Sequence, residues 1–281
     1  FNHNSKLDRL LVIFTLGFYI YYISYLSSKT KYIGKISFSN FEKAIPMMMT
    51  AAGTIPAAKV LVVGASGATG RLVVNQLLSR GVEVCAIVRS LDALPDNPHL
   101  YKIQASVHNM NSSEVAKHIK GCNAVVSCLG HNLTFKGMFG KPHLLVTDTL
   151  QCICNAIKSN ETGDAVKVIL MNTTGNSNRD IPETPPLSQR IVIAILRVML
   201  PPHADNENAA DYLRTQIGQN DKTIQWVAVR PDALTDEKEV TEYNVYPSPI
   251  RNAIFDSGGT SRINVAHFMA ELILNKSIWV K

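Results

Sequence analysis

The chain has 281 residues, a net charge of +6 and 46% hydrophobic residues. That suffices for one core of a little over two hundred residues plus an extension, and the positive charge is too dispersed for a nucleic-acid footprint. Five cysteines, Cys85, Cys122, Cys128, Cys152 and Cys154, form an odd set with no His–Cys cluster at ligand spacing; they read as thiols in a reducing compartment, with no metal site.

Residues 1–58 form an N-terminal extension. Leu10 to Ser28, LLVIFTLGFYIYYISYLSS, is a run of 19 residues without a charge, bracketed by Arg9 and Lys29. It is long enough to cross a bilayer as a helix. Its tyrosines suit an interface, and the heavier positive charge at Lys29, Lys31 and Lys35 would keep the following domain cytoplasmic. Two other readings stand beside a membrane anchor. One is a cleaved leader, although no small-residue cleavage site follows Ser28. The other is a compact version that starts at Met47–Met49. Residues 30–58 read as linker.

The domain proper spans 59–281. Lys59 to Val63 reads as a short apolar strand, followed by Gly64, Gly67 and Gly70 and then by a helical pattern through Leu72, Val73, Leu77 and Leu78. Strand, glycine turn and helix together make a dinucleotide-binding expectation. Gly64 permits the tight turn, Gly67 lets the backbone approach a pyrophosphate, and Gly70 brings the helix close to the strand. The phosphates would meet the helix N-terminus. Gly81 is the expected helix stop.

A second strand is expected over Val82–Val88. An acidic residue at its end would hold the adenosine ribose of NAD; Arg89 stands there and suits a 2′-phosphate, so NADP(H) is favoured over NAD(H). Further strands are expected over Leu100–Val107, Asn123–Leu129, Val166–Thr173 and Gln225–Val229. Helices are expected over Ser112–Ile119, capped by Ser112 or Ser113, over Pro142–Ser159, Ala204–Gly218 and Val265–Leu274. Leu187–Leu200 reads as a buried helix or a lid. The alternation predicts a Rossmann-like α/β fold, a doubly wound parallel sheet in one domain. Segments 176–202 and 232–260 are left as substrate-side additions.

The motifs GASGATG, VRS, VSCLG, NTTG, VRPDALTD and SRINVAHFMAELI follow one another in order. Over residues 59–275 they resemble the atypical short-chain dehydrogenase/reductases with an NAD(P)H-binding, NmrA-like domain, similar to the flavin reductase/biliverdin-IXβ reductase group. The resemblance implies a pyrophosphate turn at Gly64, Ser66, Gly67, Ala68, Thr69 and Gly70. It implies a 2′-phosphate site at Arg89 and Ser90, and a cofactor-facing strand end at Leu129 and Gly130. Thr173 or Thr174 would stand near the nicotinamide as the catalytic hydroxyl, and Arg230 and Pro231 would form the turn beside it.

Three departures accompany the resemblance. Ala105-Ser106 replaces the family's usual Gly-Asp after the third strand. Asn206 aligns with a His of the flavin-reductase group, with His203 nearby. The Tyr-x-x-x-Lys pair is missing from the catalytic region; Tyr25 and Lys29 match that spacing only within the apolar leader. Without the pair, proton transfer to a carbonyl loses its usual phenol. The implied function is an NADPH-dependent reductase of a small conjugated acceptor, of flavin, tetrapyrrole or quinone type. The alternative is a non-catalytic NADP(H)-binding redox sensor acting through a partner protein. An epimerase is disfavoured by the missing pair. Glu207 and Asp211, four apart on a helix, read as a solvated face or as an acid/base pair.

Overall fold

In the computed structural model, which describes residues 58–279 except 133, 161 and 162, the chain builds a six-stranded parallel sheet. The strands are β1 (Lys59–Val63), β2 (Glu83–Val88), β3 (Leu100–Gln104), β4 (Ala124–Ser127), β5 (Val166–Met171) and β6 (Ile224–Val229). Their order is β3-β2-β1-β4-β5-β6, and β1 pairs in parallel with both β2 and β4. Strand order therefore reverses direction between β1 and β4. In doubly wound sheets the crevice at such a reversal, beyond the carboxyl ends of the strands, is where ligands bind.

The strands are nearly continuous apolar runs because both faces are covered. Leu61 and Val63 enter one core with Cys85, Ile87 and Val125, under α2 (Ser112–Ile119), α4 (Leu145–Ser159) and α6 (Pro201–Tyr212). Val60 and Val62 point the other way, into a core with Val84, Ala86 and Val126. That side is covered by α1 (Ala68–Leu78) and α7 (Arg262–Leu274). Truncating one of these fully buried residues, Leu61 or Leu150 for example, removes about 2–5 kcal/mol. A short helix, α3 (Phe135–Phe139), a longer one, α5 (Leu187–Met199), and a small parallel pair, β7 (Ala233–Thr235) with β8 (Gly259–Ser261), lie outside these layers.

The expected sheet is present, with shorter strands. Val107 lies in a turn after β3, and Asn172 and Thr173 leave β5 as loop. The cap of α2 is Asn111 instead of Ser112 or Ser113. Its side chain accepts from the Glu114 N–H while the Glu114 carboxylate accepts from the Asn111 N–H, a reciprocal arrangement that Ser112, one residue late, and Ser113, two residues late, could not make with Glu114. Helix α6 starts earlier than expected, because Pro201 and Pro202 occupy its first two positions, where a missing N–H costs nothing. It continues through one wide turn, Leu213–Ile217, and stops at Gly218, whose φ is +70°.

Helix α5 is a surface helix and not a buried one. Only Gln189 and Ile193 are buried, while Leu187, Ile191, Ile195 and Val198 form an exposed apolar stripe, with Val198 84% exposed. Among the described residues no helix is long and apolar enough to cross a membrane; the candidate span 10–28 lies outside them. The described cysteines are all free thiols, and Cys85, Cys122 and Cys154 are buried.

Candidate nicotinamide-nucleotide site

The glycine turn closes over β1 as its spacing requires. Gly64 has φ +72°, and a Cβ on it would lie 2.5 Å from the Cys128 carbonyl oxygen at the end of β4. A Cβ on Gly70 would lie 2.1 Å from the Gly64 carbonyl oxygen. These two glycines are thus required by backbone packing. Gly67 is different: it is exposed, and a Cβ would come no closer than 3.2 Å to Gly64. Gly67 caps α1, no side chain bonds the helix start, and no acidic residue lies in the first turn. The N–H groups of that turn and the helix dipole are left to an anion. This cradle fits a pyrophosphate. Ala68 is exposed beside Gly67, Thr69 is buried beneath the turn, and the Ser66 carbonyl accepts a 3.0 Å bond from Arg71. Arg71 is a second cation at the turn that the glycine spacing alone does not reveal.

Arg89 and Ser90 leave the carboxyl end of β2, both exposed. Arg89 makes no hydrogen bond or ion pair with another described residue. Leu129 and Gly130 extend from β4, Gly130 open on all sides. Because β2, β1 and β4 are adjacent and parallel, one helix N-terminus, one free guanidinium and one exposed strand end stand along the same carboxyl edge of the sheet.

The loop after β5 is organised by Asn172. Its side-chain oxygen Oδ1 accepts from the Thr173 N–H and from the Asn176 side-chain amide, and its own Nδ2 donates to the Asn206 backbone carbonyl of α6 at 3.0 Å. Thr173 Oγ1 accepts from the Gly175 N–H at 3.2 Å, and the Thr174 N–H donates to the Pro231 carbonyl. Both threonines are half-buried at the strand end. Arg230 holds the expected turn, but its guanidinium is engaged: it donates to both oxygens of Glu183 and to the Asn176 carbonyl. Its place here is to brace the loop.

Helix α6 carries the polar cluster that sequence patterning does not separate from a solvated face. Asp205 is fully buried and accepts from the Val146 and Thr147 N–H groups, from the Thr147 hydroxyl, and from His131 at 2.8 Å. Glu207 is buried too, not solvated. Arg197 of α5 grips it with two donors, Nε and Nη2, the latter at 2.9 Å. Burial alone would raise the Glu207 carboxyl, but Arg197, with His203 and Arg179 nearby, brings it below the usual range. Asp211 instead pairs with Arg179 and Arg214. His203 stands one turn before Glu207, its Nε2 3.8 Å from Glu207 Oε1. Burial lowers the His203 pKa; Glu207 opposes the shift and Arg197 adds to it. Asn206, aligned with the family histidine, contributes only its carbonyl to Asn172.

A parallel sheet in 3-2-1-4-5-6 order, with a glycine turn feeding a bare helix N-terminus, defines a Rossmann-type dinucleotide-binding protein. The chain belongs to the NAD(P)H-binding family, whose model matches residues 64–276, and a nicotinamide nucleotide is thereby its cofactor class. Solved structures share the fold. The oxidoreductase ylbE from Lactococcus lactis is 19% identical, covers 77% of this chain and 84% of its own, and has a TM-score of 0.56. A proposed NADH-flavin reductase from Streptococcus pneumoniae is 17% identical over 78% of this chain and 93% of its own, with a TM-score of 0.54. A proposed NAD-dependent epimerase/dehydratase from Bacillus halodurans is 21% identical over 79% and 90%, with a TM-score of 0.57. Among curated proteins none matches this chain in sequence.

Proposed function

We propose that the protein is an NADPH-dependent reductase that passes hydride to a flat conjugated acceptor of flavin, tetrapyrrole or quinone type. The observation that carries this reading is Arg89, exposed and unpaired among the described residues at the end of β2. A free guanidinium there would grip a 2′-phosphate bidentately, whereas the ribose hydroxyls of NAD need an acceptor. The α1 N-terminus would hold the pyrophosphate, with Gly67 admitting it. Gly130 and the Thr173–Thr174 loop would flank the nicotinamide, which supplies the hydride. Helix α5, bound to the 253 segment through Gln189 and packed over Gly175 through Ile193, would roof the acceptor. One solved structure of this fold bears the description NADH-flavin reductase, which agrees with the acceptor class.

The test is NADPH oxidation by the full chain with FMN, biliverdin or a benzoquinone in turn. Turnover of one of them at a rate above the spontaneous reaction supports the reading. A second reading, a non-catalytic NADP(H) sensor that acts through a partner protein, draws on the exposed α5 stripe, since such patches commonly mark interaction sites. Tight NADPH binding with no turnover would favour it. Residues 10–28 remain our proposed membrane tether, and retention of the full chain in membranes after carbonate washing tests that separately.

A further inference from the structure

His203 is buried to about nine-tenths, and its Nε2 has no hydrogen-bond partner. An orphaned buried nitrogen costs about 1–3 kcal/mol and calls for a reason. Loose packing is not that reason. Two residues along the same helix Asp205 has four donors, and one turn along Glu207 is gripped by two. The His203 ring also lies at the reacting end of the sheet. Its Cε1 is 3.5 Å, and Thr173 Oγ1 3.7 Å, from the point where a Cβ on Gly175 would sit. Ile193 Cδ1 of α5 stands 3.6 Å from the same point, so the ring, the hydroxyl and this methyl group close around a gap about the size of the missing side chain.

Resting on the reductase reading, we propose that His203 is the proton-transfer residue of the reaction and that Glu207 and Arg197 are its positioning residues. A bound dihydronicotinamide would supply two electrons and one hydrogen to the acceptor as hydride and would end as the oxidised ring. The electron pair displaced within the conjugated acceptor takes a proton from the His203 imidazolium, which is left neutral and recovers its proton from solvent. Among the described residues Glu207 is the anion against the ring and favours the protonated form, while burial and Arg197 outweigh it, so the imidazolium acts on the acid side of the ordinary histidine value. Arg197, reaching over from α5, holds that carboxylate in place and opposes its field. The arrangement supplies the acid that the missing tyrosine and lysine would have provided.

The experiment measures kcat, KM and the NADPH Kd between pH 5 and 9 for the full chain and for H203Q and E207Q, with FMN, biliverdin and a benzoquinone as acceptors. We expect H203Q to lower kcat about a hundredfold, within the range of general acid catalysis, while the NADPH Kd changes less than threefold. We also expect it to abolish the alkaline decline in kcat that marks loss of the imidazolium. E207Q should keep that decline and shift it to lower pH, because an anion beside the ring is gone. The proposal is overturned if H203Q keeps kcat within threefold, or if it loses kcat but retains the same pH limb. It is overturned also if its NADPH affinity falls in proportion. Absence of turnover by the wild-type chain with tight NADPH binding would overturn the reductase reading itself, and this proposal with it.

Discussion

The His131 ring and the Asp205 carboxylate meet at 2.8 Å in the interior, with side-chain exposures of 4% and 0%. Through that contact the loop after β4 is tied to α6, and both are tied to the start of α4, whose Val146 and Thr147 N–H groups point at the same carboxylate. Replacing Asp205 with Ala leaves two helix N–H groups and the His131 ring without their acceptor. The expected loss is about 3–5 kcal/mol, the range for breaking one side of a buried charged cluster. Urea unfolding with D205A and wild type side by side checks this. A loss under 1 kcal/mol would show that water replaces the carboxylate.

The glycine turn separates folding from binding. Gly70→Ala puts a methyl group 2.1 Å from a backbone oxygen and is expected to destabilise the domain by more than 2 kcal/mol, through overpacking of a site that cannot yield. Gly67→Ala meets nothing closer than 3.2 Å, so its melting temperature should stay within a few degrees while NADPH affinity falls at least tenfold. Thermal melts with and without NADPH read both effects.

Arg89→Ala should weaken NADPH by about ten- to a hundredfold, the equivalent of one charge-assisted contact, and leave NADH almost unchanged. Titration of each nucleotide followed by intrinsic fluorescence is sufficient. Equal weakening of both would remove Arg89 from the 2′-phosphate.

Stability should decline on acidification in two stages. His203 has a folded pKa below its ordinary 6.5, so below about pH 6.5 the unfolded chain binds a proton that the native chain resists, and stability falls as pH drops. Glu207 is shifted below its ordinary 4.5, so its contribution is full above about pH 4.5 and is lost as pH falls through the folded value. In H203Q the upper stage should flatten and the lower one should persist. Urea midpoints at pH 7.5, 6, 5 and 4 resolve the two.

The sheet was legible because parallel strands buried on both faces advertise themselves as short apolar runs. The glycine turn was legible because Gly64 and Gly70 answer to local backbone geometry, and the place of Arg89 at the end of β2 because an apolar run marks the strand before it. The polar half of the site was not legible. HADNENAAD, residues 203–211, is polar or small at nearly every position, so no periodicity distinguishes the buried Asp205 and Glu207 from the more exposed Asn208 and Asp211. Their partners, His131 and Arg197, come from other elements, and no short-range spacing encodes such meetings. Arg230 is the converse case. It stands in the expected turn, but Glu183 from the loop before α5 takes its charge. Helix α3 has no signature in the sequence because five residues hold too little of a helical period.

Leu200 is at once the residue that ends α5 and the one that begins α6. No linker separates α5 from the helix that bears His203. The Arg197–Glu207 clasp bridges the same joint. The two helices are thus joined at Leu200 without a linker and clasped across the joint. On the proposed function, an acceptor that displaced α5 would displace the imidazole with it, which would couple admission of the acceptor to aiming of the proton.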